Sequence, residues 1–62
     1  MDFTVSNEGS IFILRPISEA AKVWVEEHLP EERQYFGGGV VVEHRYIADI
    51  VAGIQADGLE VQ

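Results

Sequence analysis

The sequence contains no cysteine. This absence excludes a disulfide framework and a metal site built on thiolates, so neither can hold the fold together. Small domains without such links often gain stability by forming oligomers. Association between copies is therefore one expectation for this chain.

Long hydrophobic runs are missing as well. No apolar stretch approaches the ~18 residues that a membrane-spanning helix needs. The first residues, Met1-Asp2-Phe3-Thr4, show neither the basic region nor the apolar core of a secretory signal peptide. We therefore expect a protein of the cytoplasm that does not bind membranes.

Basic residues are scarce. Four Lys and Arg stand against eleven Asp and Glu, which gives a formal net charge of −7. Binding to nucleic acids and to anionic membranes rests on clustered basic side chains, so this balance argues against both. A negative field favours positively charged partners, or it simply keeps the protein in solution.

The carboxylates are densest near the middle of the chain. Between positions 26 and 32 the sequence places four of them, on Glu26, Glu27, Glu31 and Glu32. The segment is either a solvated helix end, as charge runs usually are, or an acidic docking surface for a basic protein. These four residues are candidate interface residues.

The chain has 62 residues, of which 47% are hydrophobic. That length suffices for one hydrophobic core and is too short for two, so we predict a single domain over residues 1–62.

The opening segment predicts a β-hairpin. Phe3 to Ser6 alternates apolar and polar residues, Asn7-Glu8-Gly9 supplies turn chemistry, and Ser10 to Arg15 forms the second strand. Pairing Ser6 with Ser10 places one apolar set on the face toward the helices: Phe3, Val5, Ile11 and Ile13. Phe12 and Leu14 then point to the opposite face.

The first helix is predicted from Ser18, a suitable N-cap, to the residues before Pro30. At helical spacing, its apolar face consists of Ala21, Trp24, Val25, His28 and Leu29. Trp24, Tyr35 and Phe36 are the largest apolar groups. They are either core residues or interface anchors.

Residues 31–42 allow two interpretations. Val40-Val41-Val42 is β-branched and favours a strand. Alternatively, Gln34-Tyr35-Phe36 is a short strand, the three glycines at 37–39 form a turn, and a helix begins at Val40. We prefer the second interpretation because it gives loops of ordinary length.

A second helix is predicted over 45–56, with its inward-facing residues at Ile47, Ile50, Val51 and Ile54. Asp57-Gly58 caps this helix, and Leu59-Glu60-Val61 follows as a last strand. The elements then run ββαβαβ, which predicts an α+β fold with a four-stranded sheet and both helices on one face.

Residues suited to chemistry are few. Gly37-Gly38-Gly39 lacks a following Gly-Lys-Ser/Thr, so we interpret it as a turn and not as a phosphate loop. No serine lies in a nucleophile elbow. Glu27-His28 and Glu43-His44 lie on separate helices without the spacing of a metal motif, so each histidine is expected to be structural. We assign no catalytic, cofactor-binding or metal residue.

Three segments, Tyr35-Phe36-Gly37-Gly38, residues 41–49 and Ala56-Asp57-Gly58-Leu59, resemble those of a group of small uncharacterised bacterial proteins. A counterpart of Ile11 to Pro16 is also found in that group, so the similarity spans most of the chain. The resemblance implies a compact cytoplasmic bacterial protein of plasmid or phage association. It implies no activity and no functional residues.

The predicted function is non-enzymatic. We expect an acidic interaction module, an adaptor, regulator or inhibitor, that binds a basic partner protein without a cofactor. The alternative is a small metal-dependent or acid–base enzyme that uses His28, Glu43 and His44. We also expect a homodimer through the sheet face opposite the helices, with Phe12 and Leu14 in the interface.

Overall fold

The computed structural model describes residues 1–29 and 33–62 and shows an α+β fold. The strands are β1 (Phe3–Asn7), β2 (Ile11–Pro16), β3 (Tyr35–Phe36) and β4 (Gly39–Glu43), and the helices are α1 (Glu19–His28) and α2 (His44–Ala56). The predicted class, a four-stranded sheet with two helices, is confirmed. The order along the chain is ββαββα, so the predicted order of the last elements is wrong.

The four strands form one antiparallel sheet in the order β1-β2-β4-β3. Both helices contribute to a single buried cluster on one face of this sheet. Its fully or nearly fully buried members are Phe3, Leu14, Ala21, Trp24, Val25, Val40, Val42 and Ile54. Phe3 meets the Trp24 ring edge to face, with centroids 6.0 Å apart. In the part of the chain that the structure describes, the opposite face of the sheet carries no helix, and we call it the open face.

The hairpin register differs from the predicted one. Asn7 pairs with Phe12 and Val5 pairs with Leu14. The turn closes later along the chain than expected: the Glu8 N–H donates to the Ile11 carbonyl (2.9 Å), so these two residues flank a tip at Gly9 and Ser10, and the Asn7 side chain accepts a hydrogen bond from the Gly9 N–H (3.0 Å). The observed register is shifted by an odd number of residues from the predicted one. Each side chain of β2 therefore lies on the face of the sheet opposite to the one we predicted.

The assignment of Phe12 and Leu14 to the face opposite the helices is therefore wrong. Leu14 is fully buried in the core cluster, and Phe12 packs against it. In their place, Ile11 and Ile13 lie on the open face, where strand alternation puts them. Phe12 and Leu14 were predicted as interface residues because they were expected on the face opposite the helices. Since they face the helices, the structure does not support that role.

Helix α1 follows its sequence signals closely. Ser18 is the N-cap, and its hydroxyl accepts a hydrogen bond from the Ala21 N–H at 3.1 Å. Ala21, Trp24 and Val25 are buried as predicted, and Leu29 is half-buried. Pro30, the expected helix terminator, and the candidates Glu31 and Glu32 lie outside the described residues.

The segment around the glycines contains both of the competing strands. Tyr35 pairs with Val40 across a turn at Gly37 and Gly38, so the short strand is confirmed. Val40 to Val42 belongs to β4, so the preferred helical interpretation of these residues is wrong. Glu43 is extended (φ −71°, ψ 153°) and serves as both the last strand residue and the N-cap of α2, so no loop is needed.

Helix α2 ends at Asp57 and Gly58 (φ 82°), as predicted. Leu59-Glu60-Val61 does not form a full strand. It makes a short parallel bridge to β1, in which the Phe3 N–H donates to the Glu60 carbonyl and the Gln62 N–H donates to the Phe3 carbonyl, both at 3.0 Å. In the described ranges, neither helix has the length and apolar character required to cross a bilayer.

Candidate functional site

An apolar groove lies between the C-terminal end of α1, strand β4 and helix α2. Its volume is about 420 Å³. Most of the lining is apolar, and the apolar residues are Leu29, Val40, Val41, Val42, Tyr46 and Ile50. We call this the helix-side groove. Tyr46 is 48% exposed, so part of the apolar lining is open to solvent.

Of the residues that the structure describes, two carboxylates belong to the lining of the helix-side groove. Glu43 lies at the junction of β4 and α2, Asp49 lies about 1.7 turns further along the chain, and both residues are exposed. Arg45 approaches Glu43 at 3.6 Å and also covers the Tyr46 ring at 4.9 Å. Within the described ranges, no cation lies within 4.0 Å of the Asp49 carboxylate.

Arg33 is the one basic residue among those lining the groove. Its guanidinium donates to the Tyr35 hydroxyl and to the Glu26 carboxylate. The hydrogen bond to Tyr35, together with the charge of Glu26, raises the pKa of Arg33 above its usual value. The Arg33 side chain is only 8% exposed and its charge is offset by the Glu26 carboxylate that it contacts, so it contributes little positive charge to the groove.

The four predicted acidic interface residues are described only in part. Glu26 is exposed and pairs with Arg33, which links the acidic segment to the helix-side groove. Glu27 is exposed on the last turn of α1. Nothing further is described for Glu31 and Glu32.

His28 belongs to a contact between the two helices. Its ring stacks on the Trp24 ring with centroids 4.3 Å apart and an interplanar angle of 14°. Its Nδ1 lies 3.0 Å from the Trp24 carbonyl oxygen, so Nδ1 carries the proton and donates. The Trp24 indole N–H donates to Asp57 Oδ2 at 2.7 Å, and His28 Nε2 lies 3.6 Å from the same oxygen.

His44 lies at the opposite end of α2. Its ring centroid is 4.6 Å from that of Phe12, so it covers the edge of the core. Thirteen residues separate His44 from Asp57, the neighbour of His28, and at ~1.5 Å per residue the helix holds them about 20 Å apart. His28 therefore does not join Glu43 and His44 in one site. Among the described residues, no three His, Cys, Asp or Glu side chains are grouped to hold a metal ion.

The open face of the sheet carries a second apolar surface. A shallow groove of about 570 Å³ is lined there by Ile11, Gln34, Tyr35, Phe36 and Val41. Phe36 is 67% exposed, whereas Trp24 is 7% exposed, so the core alternative holds for Trp24 and not for Phe36. Arg15 crosses this face and donates to the Gly37 carbonyl (3.0 Å) and to Ser6 Oγ (3.1 Å).

The helix-side groove could not be predicted from the sequence, because strand β4 forms its floor and we interpreted Val40 to Val42 as part of a helix. The available signal was the spacing of Tyr46 and Ile50, which lie four residues apart and therefore on one side of α2. Tyr46 lies outside the apolar stripe that we assigned to this helix. An exposed aromatic beside such a stripe marks a possible contact surface.

Searches with the complete chain against protein-family models, curated proteins and solved structures find no match. The resemblance to small bacterial proteins stays a prediction. Function must be inferred from the surfaces themselves.

Proposed function

We propose that the protein is a non-enzymatic binding module whose helix-side groove receives an amphipathic, basic segment of a partner protein. The observation that carries the proposal is the combination of an apolar floor with carboxylates at the edge. Val42, Tyr46 and Ile50 offer apolar area, while Glu43 and Asp49 offer negative charge. A segment with apolar anchors and flanking Lys or Arg matches both features.

The charges of the whole molecule support the same partner. The net charge of −7 attracts cationic segments over long range and disfavours acidic ones. The cations near the groove already have carboxylate contacts, since Arg33 pairs with Glu26 and Arg45 lies beside Glu43. Asp49 is the carboxylate best placed to meet a Lys or Arg of the partner.

The proposal is tested with a defined probe, a short amphipathic peptide of leucine and lysine, titrated into isotope-labelled protein and followed by NMR. We expect amide shifts to concentrate at Leu29, Val42, Tyr46 and Ile50. Added salt should weaken the binding, because part of it is electrostatic.

Two variants of equal charge sharpen the test. Asp49→Lys reverses a charge at the groove, and Glu19→Lys makes the same change at the start of α1, about 15 Å along that helix from Leu29. We expect Asp49→Lys to weaken binding about tenfold, and Glu19→Lys to have little effect. Equal weakening by both variants, or shifts spread evenly over all acidic residues, would show charge attraction without a site.

A further inference from the structure

The strand residues of the open face carry no net charge, although the protein is acidic. Its strand residues, placed there by alternation and register, are Thr4, Ser6, Ile11, Ile13, Arg15, Phe36, Gly39, Val41 and Glu43. They include one cation and one carboxylate, so their charges cancel. The chain as a whole carries −7, which means that the excess of carboxylates lies elsewhere.

The apolar residues of the open face are continuous. Ile13 is already fully buried within the single chain, whereas Ile11 and Val41 beside it are half-buried and keep surface that a partner can cover. Phe36, at the edge of the sheet, leaves two thirds of its surface in water. Exposed aromatic side chains next to a groove are typical anchors of protein interfaces.

We infer that the open face binds a second copy of this chain, face to face, in an isologous dimer. This surface shares Val41 and Glu43 with the lining of the helix-side groove, but its other apolar residues, Ile11 and Phe36, lie outside that groove, and the inference does not depend on the proposed function. A basic partner is drawn to carboxylates, and this face offers only Glu43. A second copy, in contrast, can approach here without bringing two acidic surfaces together.

The two charges of the open face are complementary under two-fold symmetry. Arg15 pairs with the Gly39 end of β4, whereas Glu43 lies opposite Ile11 at the other end. A two-fold axis perpendicular to the strands, between the sheets, brings Arg15 of each copy to the Glu43 end of the other. Arg15 uses two N–H groups for Gly37 and Ser6. Its remaining donors are available for that contact.

The area of the open face determines how tightly we expect the dimer to associate. Four strands at ~4.8 Å spacing and about five residues of ~3.3 Å each give roughly 300 Å² of sheet. A standard interface buries about 800 Å² per partner, so this dimer belongs to the weak, concentration-dependent class.

Sedimentation equilibrium over about 10 µM to 1 mM tests the inference in a range suited to a contact of this size. We expect the apparent mass to rise from 6.9 kDa toward twice that value as the concentration increases. Phe36→Asp should weaken association at least about tenfold, because it removes an aromatic anchor. A monomer at all concentrations would overturn the inference.

Val23→Asp is the matched control. Val23 is an apolar residue of α1 that is 53% exposed, and the substitution adds the same charge on the helical side of the molecule. It should change the dimer constant less than twofold, and equal weakening by both variants would contradict the proposed face. Circular dichroism establishes that each variant is folded.

A second measurement needs no variant. In a mixture of labelled and unlabelled wild-type protein, intermolecular NOEs should arise from the open face, and Val41, which lies nearest the two-fold axis, should show them to Val41 of the other copy. Intermolecular NOEs that arise from the helices would overturn the inference even if the protein dimerises.

Discussion

Gly39 has less room for a side chain than any other glycine of the protein. A Cβ built there would lie 2.5 Å from Ile13 Cγ2, 2.7 Å from Arg15 Cγ and 3.0 Å from the Leu14 carbonyl oxygen. Contacts this close force the neighbouring strand to shift. We expect Gly39→Ala to lower the free energy of unfolding by about 1–3 kcal/mol, measured by urea denaturation. An unchanged midpoint would show that β2 and β4 are further apart than described.

We expect a substitution of Gly53 by alanine to have the opposite effect on stability. It lies inside α2, and an added Cβ would meet Trp24 Cζ2 at 3.6 Å, an ordinary van der Waals distance. Alanine is favoured over glycine in a helix interior by roughly 0.5–1 kcal/mol, so Gly53→Ala should stabilise the protein by that amount. The same urea experiment measures it, and a loss of stability would mean that Trp24 cannot accommodate the methyl group.

Asp2 connects three distant parts of the chain. Its carboxylate accepts hydrogen bonds from Ser18 Oγ (2.6 Å) and from the Glu60 N–H (2.9 Å). These bonds, with Ser18 contributing most, lower the pKa of Asp2 below its usual value of 3.8. Because the folded state holds the ionised form, this stabilisation is complete above that usual value and is lost as the pH falls through the lowered pKa.

The corresponding measurement follows the free energy of unfolding from about pH 5 to pH 2. Wild-type protein should lose stability over this interval more steeply than Asp2→Asn, whose side chain does not titrate. Parallel curves for the two proteins would show that the Asp2 carboxylate is not engaged by Ser18 and Glu60.

At the scale of elements, the helices were predictable and the hairpin register was not. Ser18, Asp57 and Gly58 act locally, so their capping roles could be identified from sequence, and the spacing of Ile47, Ile50 and Ile54 fixed the inner side of α2. The register depended on where the hairpin closes: the Glu8 N–H donates to the Ile11 carbonyl, so the tip lies at Gly9 and Ser10 and not at Asn7 to Gly9. Composition does not show which of two compatible loops forms.

The direct passage from β4 to α2 explains the other error. Loop-length preferences argued against a strand at Val40 to Val42, because no loop residues would then remain before the helix. Glu43 removes that difficulty by being extended and acting as the N-cap at the same time. The helix-side groove and the open face both depend on β4. The residues that form these two surfaces could therefore not be identified from the sequence.

The register itself can be tested by a pair of alanine substitutions on β2. Leu14 is fully buried beneath the helices, whereas Ile11 is half-exposed on the open face. Leu14→Ala should cost about 2–5 kcal/mol, and Ile11→Ala clearly less, as measured by thermal or urea unfolding. The register that we expected from sequence reverses this ranking.

At the scale of the whole molecule, two surfaces of different character share one small fold. The helix-side groove combines apolar area with carboxylates, and the open face combines apolar area with balanced charge. Strand β4 contributes to both, since Val42 faces the helices and Val41 faces the opposite side. A basic partner and a second copy would therefore occupy opposite sides of the same strand.

The hydrogen bond between the Asp2 carboxylate and the Glu60 N–H spans 58 positions in sequence, and it closes the chain into a ring. Closing so long a loop costs more conformational entropy than forming either hairpin, so we expect the hairpins to fold first and this closure to come late. Contacts made after the transition state act on the rate of unfolding and leave the rate of folding unchanged. On this order of events, the hydrogen bond between Asp2 and Glu60 slows the unfolding of the protein and does not change the rate at which it folds.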